Sequence, residues 1–180
     1  MNLKDVLELY AKYNRHANGE MVRILKTLPE SRFFESAGSY YKSIAGLAGH
    51  ALSSTAGTLR RIGEAGFQAA AVLPALADFP KPPAGPVQGW LPFATLGEYE
   101  TLRTKADEAL IAACSAADEN ELGRTFGFAG RDGQTKIMAF GGNLLALFTH
   151  EVHHRGGVST ILDGWGVEND WSSLMRFLFL

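Results

Sequence analysis

From Leu3 to Leu28 apolar side chains recur at intervals of three and four, through Val6, Leu7, Tyr10, Tyr13, Ala17, Met21, Ile24 and Leu25, and this spacing predicts one amphipathic helix. Pro29 follows it. A second periodic stretch starts near Ser39 and runs through Ile44, Leu47, Ala48, Ala51, Leu52, Leu59 and Ile62. Gly46, Gly49 and Gly57 lie inside it, and each costs a helix up to ~1 kcal/mol relative to alanine. Packing or the close approach of a neighbour must therefore support this second helix. Between about Gly63 and Leu96, Pro74, Pro80, Pro82, Pro83, Pro86 and Pro92 rule out a continuous helix and predict a long crossover with at most short helical turns. Helical spacing resumes from Leu96 to Ala117 through Tyr99, Leu102, Ala106, Ala109, Leu110 and Ala113, with Cys114 on the packed face. Thr125, Phe126 and Phe128 precede Gly130-Arg131-Asp132-Gly133, and Thr135, Ile137 and Met138 follow, which predicts a small hairpin. A fourth helix runs from about Phe140 to Leu162, and a short one from Trp171 to Leu178 ends the chain. The expected class is all-α: a four-helix bundle with a long crossover between helices two and three, a small β-hairpin before helix four and a short C-terminal helix.

Composition narrows the setting more than the fold. At 180 residues the chain suits one domain, taken here as residues 1–180, with enough length to bury a core. A net charge of −2, without a basic stripe or a recognisable reading helix, predicts no nucleic-acid partner. The first residues, MNLKDVLELYAKYNRHANGE, interrupt their apolar positions with charges and lack the unbroken stretch of a signal peptide or membrane span, so no membrane association is expected. A lone cysteine, Cys114, cannot close an internal disulfide, and a reducing cytoplasm is the expected location. The tail holds Trp165, Trp171, Leu174, Phe177, Leu178, Phe179 and Leu180, which must cover something, either the chain's own bundle or a second copy.

Candidate chemistry rests on the histidines. His150 and His154 stand four apart on the fourth helix, one turn above one another and about 40° round the axis, so their rings can share one metal ion. An open metal site commonly takes three protein ligands and leaves a position for water or substrate. His50, in Leu47-Ala48-Gly49-His50-Ala51-Leu52, is the best third donor. His153 can also pair with His150 at a spacing of three, and otherwise is a pocket or interface residue. Read literally, His150-Glu151-Val152-His153-His154 matches the zinc-peptidase pattern H-E-x-x-H, in which the glutamate is the general base. Its longer form is met at Gly157 and fails at Thr160, where a third histidine belongs. Glu151 points about 100° from His150, which predicts an exposed position or a bridge between helices in preference to catalysis. Arg155 either pairs with a carboxylate, anchors an anion or stays solvated.

Three segments in order resemble the DinB-like family of bacterial proteins. Phe148-Thr149-His150-Glu151-Val152-His153-His154-Arg155-Gly156-Gly157 resembles the family's final bundle helix, Tyr13-Asn14-Arg15-His16-Ala17-Asn18 its N-terminal Y-N-R-W-A-N, and Ser43-Ile44-Ala45-Gly46-Leu47-Ala48-Gly49-His50 the stretch ending in a metal-binding histidine. Thr149, Glu151, Gly157 and His16 depart from the family pattern, and none removes a ligand. The resemblance implies a four-helix bundle, often dimeric, with one divalent ion on His50, His150 and His154 and an open side. Zinc or nickel is the first expectation for that ion, with iron or manganese as alternatives. His16, which replaces a tryptophan, is expected as a polar tip on the first helix. Relatives in this family include metal-dependent transferases that use low-molecular-weight thiols, and isomerases that work through such a thiol. The resemblance therefore implies a small-molecule substrate or thiol as partner. A non-catalytic module that binds a metal or small ligand is the alternative, and a zinc peptidase a third.

Overall fold

A computed structural model describes residues 1–82, 90–130, 133–171 and 173–179. Helix α1 spans Leu3–Leu25 and opens on a reciprocal cap, in which Asn2 accepts from the Asp5 amide at 2.8 Å and Asp5 accepts from the Asn2 amide at 3.0 Å. It stops three residues short of the expected end, because the amides of Thr27 and Leu28 turn back to Ile24 and Leu25 ahead of Pro29. Helix α2, Glu30–Phe34, went unpredicted. It tucks Phe33 under Phe93 and Tyr99, and the Glu30 carboxylate accepts from the Leu96 amide at 2.8 Å.

Helix α3 spans Ile44–Glu64 and starts later than the periodicity suggests. Lys42 has a left-handed φ of 69°, and the Ser43 hydroxyl caps the Gly46 amide at 3.0 Å, so the chain turns before the helix begins. A Cβ at Gly46 would collide with the Tyr41 carbonyl oxygen, and one at Gly49 would sit 2.9 Å from Leu91. Both glycines thus admit a neighbour that alanine would push away.

The crossover carries a 3₁₀ helix, Gln68–Leu76, with Pro74 inside it, packed on α3 and on α4, Leu96–Ala116. Pro83 and Pro86 of the expected crossover lie outside the described residues. A second short helix missed by periodicity, α5 (Glu119–Gly123), is capped by Asp118 and leads into strand β1, Thr125–Ala129. Strand β1 pairs antiparallel with β2, Thr135–Ala139, in the register Thr125 to Ala139. Arg131 and Asp132, at the expected turn, are outside the described residues. Helix α6 follows at once as Phe140–Gly164, its first amide donating to the Arg124 carbonyl at 2.9 Å. Helix α7 is shorter than expected, Leu174–Phe177, because Ser173 caps it. Leu180, the last residue of the expected tail cover, is also outside the described residues.

Helices α1, α4, α3 and α6 pack in a ring, each against the next and α6 back against α1. Leu7, Ala11, Ile44, Leu52, Leu59, Leu110, Phe140 and Leu144 form the dry interior. Among the described residues, no helix is long and apolar enough to cross a membrane.

Candidate metal centre

The facing surfaces of α3 and α6 bring three of the five histidines together. His50 Nε2 lies 3.1 Å from His150 Nε2, which lies 3.1 Å from His154 Nε2, and the three donor atoms fit within 4.8 Å of one another. One Nε2 carries either a proton or a single lone pair, so His150 cannot form a good hydrogen bond with both neighbours at once. A cation accepts all three lone pairs. Zinc bonds of about 2.0–2.1 Å at tetrahedral angles hold neighbouring nitrogens about 3.3 Å apart, close to the spacing found here. The residues present therefore fit a divalent ion, and His50, His150 and His154 could hold one.

Burial prepares these rings for that role. His154 is buried and its pKa is pushed down to about 4, by loss of water first and then by the neighbouring imidazoles of His150, His50 and His153. His150 shifts in the same direction, again mainly through burial. Neutral imidazole is the ligating form, so metal meets little proton competition near neutrality. Tyr41 walls the site, stacked on His50 with centroids 4.4 Å apart and edge-on to His154 at 5.3 Å. His50 and His150 remain half-buried, which leaves the cluster a side towards solvent.

The other expected site residues lie elsewhere. His153 is exposed beside His154, with ring centroids 5.0 Å apart, and does not join the cluster. His16 packs on Phe177 of α7 at 5.2 Å. Glu151 is only 1% exposed, which corrects the exposed alternative and leaves the bridging one. Its carboxylate accepts from Thr55 of α3 at 2.5 Å and from Arg103 of α4 at 3.1 Å, with Arg155 3.6 Å away. Burial alone would raise its pKa, but Arg103, Arg155 and the Thr55 hydroxyl outweigh that and hold the carboxyl below its ordinary value. A peptidase general base must face the open side of the metal, and a carboxylate locked inside the bundle does not. Arg155 is buried too, which corrects the solvated alternative. Its guanidinium donates to Asn14 and, at 3.1 Å, to Asn18, both on α1.

Asn14 and Asn18 in turn donate to Asp107 at 3.0 and 3.1 Å, and Arg103 closes on Asp107 at 2.7 Å. Two arginines, two carboxylates, two asparagines and Thr55 thus form one neutral, buried network joining α1, α3, α4 and α6 directly beneath the histidines. Sequence reasoning missed Thr55, Tyr41, Arg103 and Asp107. The available signal was a pair of polar residues four apart, Arg103 and Asp107, placed among the core positions of the third helix.

Fold and site together define a helical bundle with an interhelical three-histidine centre. The family model described as the DinB family matches residues 1–180, the whole chain, and the protein belongs to that family. No curated protein matches the chain.

Proposed function

We propose that the protein is a metal-dependent enzyme in which a low-molecular-weight thiol, or water, attacks a small electrophile. The observation that carries this reading is the convergence of three Nε2 atoms on a cluster of three donors, two of them half-buried. Three neutral ligands with an open side are the arrangement of a reactive site, whereas a storage site closes itself with a fourth protein donor. When bound, a divalent cation supplies Lewis acidity that makes a thiol or water acidic enough to act as a nucleophile near neutral pH.

The chain's own groups supply the rest. His50, His150 and His154 hold the ion, Tyr41 shields one wall, and the charge network below ties α6, which carries two of the rings, to α1, α3 and α4. The protein's own sulfur is not the nucleophile, because Cys114 is 1% exposed and burial pushes its thiol up to about 12. A buried, reduced thiol is also what a cytoplasmic protein would carry. Zinc or nickel suits three imidazoles, and iron or manganese follow.

A second reading, a dimeric module that binds metal or a small ligand without turnover, is favoured by the outer face of α6. Leu145 and Val152, two turns apart, are 37% and 45% exposed there, and Phe179 of the tail is 85% exposed. Such a face suits a second copy of this chain.

Elemental analysis of tag-free protein beside His154→Ala, followed by cobalt substitution and addition of a small thiol, tests the enzyme reading. About one ion per chain in the wild type, its loss in the variant and a thiol-dependent change in the cobalt spectrum support it. A wild type that cannot be loaded overturns it, and a loaded protein indifferent to thiol and to water-derived anions leaves the binding module.

A further inference from the structure

Behind the histidines, on the side facing the bundle interior, lies a small cavity lined by Asn18, Tyr99, Glu151, His154, Arg155 and Val158, among others. About 10 Å³ of it is open to the centre of a water molecule, close to the least that one water needs. His154 turns Nε2 towards His150, while its Nδ1 is buried with no hydrogen-bond partner. Once Nε2 binds a metal ion, the ring proton sits on Nδ1, and a buried N–H without an acceptor is costly.

The lining's carboxylate has spare accepting capacity. Asn18 is already engaged, its amide nitrogen donating to both oxygens of Asp107 and its oxygen accepting from Arg155. Glu151 Oε1 is taken by Thr55 and Arg103. Glu151 Oε2 faces only the 3.6 Å ion pair with Arg155, longer than a hydrogen bond. Arg155 and the buried Tyr99 bring donors to the same space.

We propose that this cavity holds one ordered water, which accepts from His154 Nδ1–H and donates to Glu151 Oε2, and that Glu151 is thereby a positioning residue for the third imidazole of the triad. The proposal rests on the metal reading of the triad, and it gives the buried charge network a task there. Ligating histidines commonly give their second N–H to a carboxylate, and here the carboxylate reaches through water. Thr55, Arg103 and Arg155 hold that carboxylate in place.

The test uses wild type, Glu151→Gln and Val158→Ile, the last adding a methylene of about a water's size to the cavity without touching a polar group. Zinc affinity is read by competition with a chromophoric chelator, and the His154 Nδ1 proton by nitrogen-15 correlation spectra. In zinc-loaded wild type the proton should be visible and slow to exchange. Each variant should lose that slow exchange and bind zinc roughly tenfold more weakly. A wild type that binds zinc with a freely exchanging Nδ1 proton, or a folded Val158→Ile that matches it in both readouts, overturns the proposal. If wild type binds no zinc, the metal reading fails on its own. A crystal structure then decides the water, with density between His154 and Glu151 supporting it and an empty cavity refuting it.

Discussion

His50 and His150 stand 100 positions apart in the chain and bring their Nε2 atoms to 3.1 Å. One residue along α6 and five along α3, Glu151 and Thr55 close at 2.5 Å. The same two helices thus present an open imidazole cluster and, beside it in the bundle interior, a sealed carboxylate. Several consequences of that arrangement can be measured.

Replacing any one of His50, His150 and His154 by alanine should weaken zinc or nickel binding at least 100-fold, because two imidazoles cannot hold the ion as three do. His153→Ala should stay within a few-fold of wild type, since its ring is outside the cluster. Chelator competition on all four variants checks both statements. Equal losses from His153→Ala and His150→Ala would mean that the ligands are misassigned.

Arg103→Met should be costly to the fold. It strips the cation from Glu151 and Asp107, both 2% exposed or less, and uncompensated buried charge costs about 3–5 kcal/mol. Arg23→Ala removes an exposed pair with Glu20 and should cost less than about 1 kcal/mol. Urea denaturation of the metal-free proteins separates the two, and a small effect at Arg103 would show that the network does not carry the fold.

In metal-free protein, His154 has its folded pKa lowered from 6.5 to about 4. The unfolded chain then binds more protons across that window, so stability is full above pH 6.5 and falls as the pH drops towards 4. The urea midpoint should decline over this range, and His154→Asn should flatten the decline. An unchanged slope would place the acid sensitivity elsewhere.

Cys114 should resist a thiol reagent at pH 8 in the native chain and react fully in urea, as expected of a thiol pushed up to about 12 by burial. Rapid native labelling would mean that the α4 face opens readily.

Gly46→Ala should lower the melting temperature by several degrees and weaken metal binding, since the new methyl must displace the Tyr41 carbonyl and with it the ring on His50. Gly57→Ala, with nothing within 4 Å of the added carbon, should be neutral or stabilising. Thermal melts and chelator competition on this pair isolate the close approach from general helix propensity.

The long helices were legible because tens of residues repeat one spacing, whereas α2 and α5 hold five residues each and offer no period to read. The histidine pair was visible from its own spacing. Glu151 was harder to place because its partners, Thr55 and Arg103, sit on two other helices, and nothing local marks a carboxylate that will be buried. Lys42 shows the same limit at a boundary. Apolar spacing ran straight through it, but its left-handed φ, which lysine rarely adopts, moved the start of α3 to Ile44.

No linker residue separates Ala139, the end of β2, from Phe140, the start of α6, and the Phe140 amide is pinned to Arg124. The hairpin therefore acts as an index mark for the rotary phase of the helix. A residue added at its far end lengthens a loop. A residue added after Ala139 turns everything downstream by about 100° and slides it about 1.5 Å, swinging two imidazoles out of the cluster and a carboxylate out of its socket in one step. Length is free to vary on one side of that mark and not on the other.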